Sequence, residues 1–217
     1  MEKKAVLETL KKLRETQKKR NFSQSVDLIV NLKDLDLKKP EEQVDFFATL
    51  HHPTGKKKKI CALVGPELMD DARASCDNAV MVDDFDKYTK DKKLVKKLAG
   101  EFDFFIAQAN IMPKVAAAFG KVLGSRGKMP NPKAGCVVPP KTALKPLYEK
   151  LQSTTRISAK TSPIVQVFVG KESLKDEDLA DNIIDIFMQL ESKLPKGKNN
   201  ISSAFVKFTM SNSERLM

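Results

Sequence analysis

The sequence predicts an α/β protein of two domains, one of which is inserted into the other. Over residues 57–154, short apolar runs alternate with helix-like segments, a pattern typical of a parallel sheet covered by helices. On both sides of that stretch, the sequence instead combines strands of alternating apolar and polar residues with amphipathic helices. The polar segment 52–59, HPTGKKKK, separates the N-terminal part from the middle stretch. We therefore predict one domain from residues 1–56 and 155–217, and a second domain from residues 57–154.

The terminal segments are predicted to form helices and strands that bury one face. Leu10 and Leu13 follow other apolar residues at roughly helical spacing. Val26 and Leu28 alternate with Ser25, Asp27 and Ile29, which predicts a strand with one mostly buried face. The predicted elements are, in chain order, a helix over 2–19, strands over 23–32 and 44–50, strands over 154–160 and 164–169, a helix over 176–194 and a strand over 202–210.

The middle of the chain is predicted to alternate strands with helices. Its strands are continuous apolar runs, as in sheets buried on both faces. The predicted elements are strands over 60–64, 79–82 and 102–107, helices over 66–75, 91–99 and 112–123, and a helix that follows Pro139 and Pro140 and extends to residue 151.

The charge of the chain favours a polyanionic partner. The sequence has 39 Lys or Arg against 28 Asp or Glu, a net charge of +11, and a hydrophobic fraction of 41% that indicates a folded protein. Between Phe104 and Lys171, eleven basic residues accompany a single acid, Glu149. Because no apolar run approaches the ~20 residues of a spanning helix and the N-terminal residues lack an apolar signal core, we expect a cytoplasmic protein without a membrane partner.

A basic loop over residues 123–135, LGSRGKMPNPKAG, is the most distinctive segment of this field. It contains Arg126, Lys128 and Lys133 together with three glycines and two prolines, and it contains no acid. Gly and Pro rarely build a helix or strand, so this segment predicts a surface loop suited to an anion.

The glycines of the inserted domain do not match the motifs of nucleotide-binding enzymes. Six residues separate Gly120 from Gly127, where a phosphate loop needs four, and Met129 stands where that loop needs Ser or Thr. The first predicted strand of the domain ends in VGPE, without the further glycines of the dinucleotide fingerprint. We therefore predict no cofactor.

Catalytic and metal-binding patterns are also missing from the sequence. The acidic pairs and the two histidines, His51 and His52, are adjacent residues that do not face one point, and the three cysteines include no CxxC spacing. We predict that the protein is not an enzyme, with no catalytic residue and no metal. The alternative is an enzyme that binds a nucleotide or small molecule on the inserted domain.

Two terminal segments have the residue types of an RNA surface. Residues 18–25, KKRNFSQS, combine cations with an aromatic ring and polar groups, and residues 207–213, KFTMSNS, close the last predicted strand. The alternatives are a charged helix end followed by a core Phe22, and a frayed strand end. The lysines of residues 56–59 and 87–97 are interpreted as solvated.

Four motifs, in this order and spacing, resemble the ribosomal protein L-one family, whose members belong to the mobile stalk of the large subunit beside the tRNA exit site. The motifs are RNFSQSVDL at 20–28, FFIAQA at 104–109, LGSRGKMPNPK at 123–133 and KFTM at 207–210. The resemblance covers essentially the whole chain, and the first motif is similar to archaeal members.

The resemblance implies an α+β first domain, split in sequence, and an inserted Rossmann-like second domain of three layers. It implies that the first domain binds large-subunit ribosomal RNA at the stalk and also the protein's own messenger RNA, whose translation it would repress. It further implies tRNA at the exit site as a partner, a monomer when free, and a location on cytoplasmic ribosomes.

The resemblance also implies which residues meet the RNA. In the first domain they are Lys19, Arg20, Phe22, Ser25, Lys207, Thr209, Met210 and Ser211, and in the second domain they are Arg126, Lys128 and Lys133. The family usually has Gly-Pro after the Thr-Met pair, where this chain has Ser211 and Asn212. If that Gly permits close backbone approach, Ser211 is expected to weaken or reshape the contact.

Overall fold

A computed structural model describes residues 2–18, 20–39, 41–140 and 142–217. The chain divides into two compact units, each with its own contacts. Unit 1 comprises residues 1–56 and 153–217, and unit 2 comprises residues 57–152. The mixed α/β class predicted from the sequence is confirmed, since both units combine helices with sheets.

Helices and strands are distributed along the whole described chain, and they alternate most regularly in unit 2. The α-helices are α1 (Lys3–Thr16), α2 (Met69–Ser75), α3 (Phe85–Lys90), α4 (Lys92–Glu101), α5 (Met112–Ser125), α6 (Leu144–Ser153) and α7 (Asp176–Lys193). The strands are β1 (Ser25–Leu32), β2 (Val44–Thr49), β3 (Ile60–Val64), β4 (Asn78–Met81), β5 (Phe104–Gln108), β6 (Val137–Val138), β7 (Thr154–Ala159), β8 (Ile164–Lys171), β9 (Ile201–Phe208) and β10 (Glu214–Arg215).

Unit 1 contains an antiparallel sheet of order β10-β9-β1-β8 and a separate antiparallel pair, β2-β7. In β1 every second residue is buried, from Val26 to Leu32, because one face of the sheet packs on the core. That core includes Leu10 of α1 and Ile183 of α7, so both helices cover the same face of the sheet. The opposite face of the sheet is left for other contacts.

Unit 2 contains a parallel sheet of order β4-β3-β5-β6. All five residues of β3 are buried, so helices must cover both faces of the sheet. Cys61 and Leu63 share a core with residues of α3, α4 and α5. Ile60 and Ala62 alternate with them and are fully buried on the other side. Unit 2 is therefore a three-layer α/β structure.

Candidate nucleic-acid interface

The start of β1 and the residue after β9 are tied together by a reciprocal pair of hydrogen bonds. The backbone N–H of Thr209 donates to the carbonyl of Ser25 at 3.1 Å. The N–H of Ser25 donates in turn to the Thr209 hydroxyl oxygen at 3.0 Å. The side chain of Thr209 thus replaces a backbone acceptor at the point where the strand ladder stops. This arrangement fixes the positions of two predicted site residues that are 184 residues apart in sequence.

Gln24 is the buried centre of the same region, with an exposed fraction of only 1%. Its side-chain oxygen accepts from the backbone N–H of Met210 at 3.1 Å, and its amide nitrogen donates to Gln17 at 3.0 Å. Its backbone N–H donates to the carboxylate of Glu172 at 3.2 Å. Because both ends of the amide are satisfied, Gln24 can be buried at little cost while it holds the turn after β9 in place. In the sequence, Gln24 carries no signal beyond its polar type within the motif RNFSQSVDL.

Two large apolar side chains are exposed beside this rigid centre. Phe22 is 51% exposed and Met210 is 58% exposed, although side chains of these types are usually buried. The alternative in which Phe22 is a core residue is therefore wrong. Phe22 lies two residues before Gln24, and the amide of Met210 is bonded to Gln24. An exposed ring and thioether on a fixed backbone form a surface on which unpaired bases can stack.

Cations flank these apolar side chains. Lys18 and Arg20 are exposed, while Lys19 lies outside the described residues. Lys207 stands opposite Asp27 in the strand register. Desolvation raises the pKa of Asp27, and the nearby ammonium of Lys207 opposes that rise. Because the charge of Lys207 offsets that of the Asp27 carboxylate, this carboxylate repels an anionic ligand less than an isolated one would.

Ser211 closes the turn after β9 with its own side chain. Its hydroxyl oxygen accepts from the N–H of Phe208 at 2.8 Å, and its N–H donates to the Phe208 carbonyl at 3.2 Å. Among the described residues, Asp34 is the one non-glycine residue with a positive φ angle, so Ser211 has an ordinary backbone conformation. The turn therefore does not need the glycine that the family usually has at this position.

The face of the antiparallel sheet that points away from α1 and α7 continues the surface. We call this the outer face, and its residues around one groove of about 280 Å³ are Asp27, Ile29, Gln166, Phe168 and Lys207. Phe205 of β9 belongs to the same face and is half-buried. The sequence predicted a strand over 202–210, but no pattern assigned a role to the aromatic residues of this face. They could have been found because each aromatic residue stands at a strand position where the alternation predicts a polar, solvent-facing residue.

The three predicted site residues of unit 2 differ in their surroundings. Lys133 is exposed, and the guanidinium of Arg126 is exposed while one nitrogen donates to the Lys96 carbonyl at 3.3 Å. The ammonium of Lys128 donates to the carbonyls of Ala99 and Phe102 at 3.0 and 2.7 Å. Lys128 thus caps the C-terminal end of α4, where unsatisfied carbonyls favour a cation.

The position where a doubly wound sheet would bind a ligand is filled by a protein side chain. Gln108, buried at the end of β5, accepts from the N–H of Gly65 at the end of β3 at 2.9 Å. A Cβ on Gly65 would lie only 3.1 Å from the same oxygen. Ligands of such sheets bind beyond the carboxyl ends of neighbouring strands. The geometry therefore gives no support to the nucleotide-binding alternative.

Other chemistry is equally limited in the described parts of the chain. There, no three or more His, Cys, Asp or Glu side chains are grouped so that they could hold a metal ion. Desolvation by burial raises the pKa of the Cys61 thiol to about 12 and the pKa values of Cys76 and Cys136 to about 11, so these thiols stay protonated at neutral pH. No helix within the described ranges combines the length and the apolar character that crossing a membrane requires.

Comparison with known sequences connects this geometry to a family. The sequence model of the family described as "Ribosomal protein L1p/L10e family" matches residues 10–212. This chain belongs to that family. The resemblance inferred from the four motifs is thereby confirmed. The matched range includes the candidate interface from Gln17 to Ser211 and the whole of unit 2.

Archaeal relatives match this chain over nearly their full length, and each is named large ribosomal subunit protein uL1. The relative from Methanobrevibacter smithii is 44% identical over 206 residues, which are 94% of this chain and 95% of the relative. The relative from Methanothermococcus thermolithotrophicus is 40% identical over 210 residues, 97% of this chain and 96% of the relative. The relative from Pyrococcus horikoshii is 39% identical over 212 residues, 97% of this chain and 94% of the relative. Because these relatives are named as ribosomal proteins, the prediction that this chain is not an enzyme is confirmed.

Proposed function

We propose that this chain is a structural constituent of the large ribosomal subunit, and that unit 1 binds large-subunit ribosomal RNA at the mobile stalk beside the tRNA exit site. The observation that carries this proposal is the exposure of Phe22 and Met210 on a backbone held by Gln24 and Thr209. The names of the archaeal relatives support the ribosomal setting.

Each part of the site supplies a different contribution to RNA binding. The ring of Phe22 provides a stacking surface for an unpaired base, which contributes about 1–3 kcal/mol, and the thioether of Met210 provides an apolar contact beside it. Arg20 and Lys207, with Lys19 as the third candidate, meet phosphates and make the affinity depend on salt. The side chains of Ser25 and Thr209 are placed to meet sugar hydroxyls or base edges. For Thr209 such a contact replaces the long bond, 3.4 Å, that its hydroxyl donates to the Ser25 carbonyl. Recognition then depends on shape and unpaired nucleotides, because the deep major groove of an RNA helix hides its base edges.

The role proposed for unit 2 is a contact with RNA backbone through Arg126 and Lys133. Both side chains are exposed on the loop that follows α5. We expect a smaller contribution from Lys128, since its ammonium already donates to two backbone carbonyls.

A titration tests the proposal. Labelled stalk ribosomal RNA and an unrelated RNA duplex of equal length are titrated with the full chain at two salt concentrations. We expect the stalk RNA to bind more tightly than the duplex at both salt concentrations. Equal affinity for the two RNAs would contradict the proposal.

Single substitutions in the same assay locate the site. We expect Phe22→Ala to weaken stalk RNA binding by about 5- to 100-fold, which corresponds to about 1–3 kcal/mol, and Met210→Ala to weaken it by less. Met188→Ala is the matched control, because Met188 is 64% exposed on α7, away from the ends of β1 and β9. Equal effects of Met210→Ala and Met188→Ala would remove Met210 from the site.

We further propose that the same surface binds the protein's own messenger RNA and represses its translation. One site serving two RNAs predicts that the messenger competes with stalk RNA and that Phe22→Ala weakens both. Binding of both RNAs at once would contradict a shared site.

The remaining parts of the proposal concern the state of the protein in the cell. We propose that it is a monomer when free, that it works on cytoplasmic ribosomes, and that it meets tRNA at the exit site. The net charge of +11 supports the monomer, because like charges oppose self-association. Co-sedimentation with large subunits tests the ribosomal assignment, and an extraribosomal regulator would fail to sediment with them.

A further inference from the structure

The surface of α4 in unit 2 is lined by cations that the proposed function leaves without a role. Lys92, Lys93, Lys96 and Lys97 are all exposed, while Val95, Leu98 and Ala99 of the same helix are buried in the core of unit 2. With about 3.6 residues per turn, the four lysines lie on the side of α4 that faces away from that core.

Arg126 joins these lysines to the basic loop. One of its guanidinium nitrogens lies 3.3 Å from the Lys96 carbonyl and 3.6 Å from the position that a Cβ on Gly100 would take. Gly100 follows Lys96 by four residues, so it is on the same side of the helix and its missing side chain leaves room for the arginine. Two basic segments that lie about thirty residues apart in sequence therefore form one lysine surface: Lys92, Lys93, Lys96, Lys97 and Arg126.

Several acids near this lysine surface in sequence are engaged by other groups, whereas Asp86, six residues before Lys92, is exposed. Glu101 pairs with Lys59 at 3.9 Å, and Asp84 pairs with Lys87 at 2.6 Å. Asp91 caps the start of α4 by accepting from the N–H of Lys93 at 2.8 Å. Within the described residues, no ion pair involves Lys92, Lys93, Lys96 or Lys97, and the negative end of the α4 dipole is capped by the ammonium of Lys128. The lysine surface therefore presents a positive field toward its surroundings.

We propose that the lysine surface extends the backbone contact of Arg126 onto α4 and makes it a second site for RNA, which binds the sugar-phosphate backbone independently of the interface on unit 1. Four ammonium groups on α4 and the planar guanidinium of Arg126, which follows α5, suit the phosphates of an RNA of any sequence. A membrane would require an apolar face beside the cations, but α4 buries its apolar side and exposes a single large apolar residue, Leu94. That the polyanion is RNA rests on the proposed function of the chain.

The test replaces the four lysines by glutamine in the full chain. Glutamine has nearly the same helix propensity as lysine, so α4 is expected to fold. The matched control carries Lys4→Gln, Lys11→Gln, Lys193→Gln and Lys198→Gln, which remove the same charge from exposed positions of unit 1. Thermal unfolding monitors the fold of both variants.

Binding of a 30-base-pair RNA duplex is measured as a function of salt, because a backbone-directed site does not need the stalk sequence. Each phosphate contact contributes about 0.7–0.9 to the slope of log affinity against log salt. We expect the α4 variant to lower that slope by about 2–4 and the affinity at low salt by about tenfold or more. Equal losses in the α4 variant and the control variant would overturn the proposal.

Two further measurements separate this proposal from its alternatives. The α4 variant is expected to keep its preference for stalk RNA over duplex, because unit 1 is unchanged. Loss of the proposed function would abolish that preference in the native chain, whereas failure of the second site would leave duplex binding unchanged in the α4 variant. Vesicles containing anionic lipid are titrated in parallel. An α4 variant that loses vesicle binding but keeps full duplex affinity would assign the lysine surface to a membrane and overturn the RNA proposal.

Discussion

Replacement of Thr209 by valine removes one hydroxyl and leaves the shape of the side chain nearly unchanged. In the native protein that hydroxyl accepts the N–H of Ser25 at 3.0 Å, so the valine strands one backbone donor at the start of β1. A stranded donor costs about 1–3 kcal/mol, and the cost falls in the lower part of that range here because Ser25 is only half-buried and water can reach it. The lost bond loosens the end of β9 in the free protein, and RNA binding must then restore that order. We therefore expect stalk RNA affinity to fall by about 5- to 30-fold, which is about 1–2 kcal/mol.

The assay is the stalk RNA titration, accompanied by urea unfolding of each variant to show that the protein remains folded. Thr209→Ser keeps the hydroxyl and is expected to bind within about threefold of the native chain. Thr9→Val removes another threonine hydroxyl of unit 1, one that donates to Ala5 at 2.9 Å within α1, and is expected to leave affinity unchanged. Native affinity of Thr209→Val, or equal losses with serine and valine, would refute the reasoning.

Three further predictions concern stability. The hydrogen bond and charge of Asp185 raise the pKa of His51, so this contact stabilises the fold below the unfolded pKa of about 6.5 and is lost as pH rises through the folded value. His51→Asn is therefore expected to reduce the fall in melting temperature as the pH rises above about 6.5. Lys128→Met removes two charge-assisted hydrogen bonds to the end of α4 and is expected to lower the free energy of unfolding in urea by about 1–3 kcal/mol. An unchanged unfolding midpoint would show that the cap contributes nothing. The buried ring of Phe119 lies 5.1 Å from that of Phe85, measured between centroids. Phe119→Ala is expected to lower the free energy of unfolding by about 3–5 kcal/mol in the same assay, and a loss below about 1 kcal/mol would contradict the place of Phe119 in the core.

The elements with strong periodicity were the ones that the sequence predicted well. The alternation from Val26 to Leu32 and the apolar spacing of α7 placed those elements within about two residues of their observed ends, because one buried face determines each pattern. The predicted helix over 2–19 ends instead at Thr16 as α1, since Gln17 is extended and its N–H closes on the Leu13 carbonyl. Short elements such as α3, β6 and β10 were missed because two to six residues are too few to show a period.

The chemistry of the site was only partly accessible to the sequence. The motifs pointed to Phe22 and Met210, but no pattern showed that Gln24 joins them, since its partners Gln17 and Glu172 lie on different elements. Likewise, a charge count could not show that the ammonium of Lys128 is used inside unit 2. Such contacts follow from tertiary packing, which brings together residues that no local rule relates.

The most direct test of the central claim is an NMR titration of the isotope-labelled chain with stalk ribosomal RNA, followed through backbone amide signals. The interface at the ends of β1 and β9 predicts that the amides of Gln24, Ser25, Met210 and Ser211 shift together and saturate at one equivalent of RNA. Unchanged signals of these amides at saturating RNA would contradict the claim that this surface binds it.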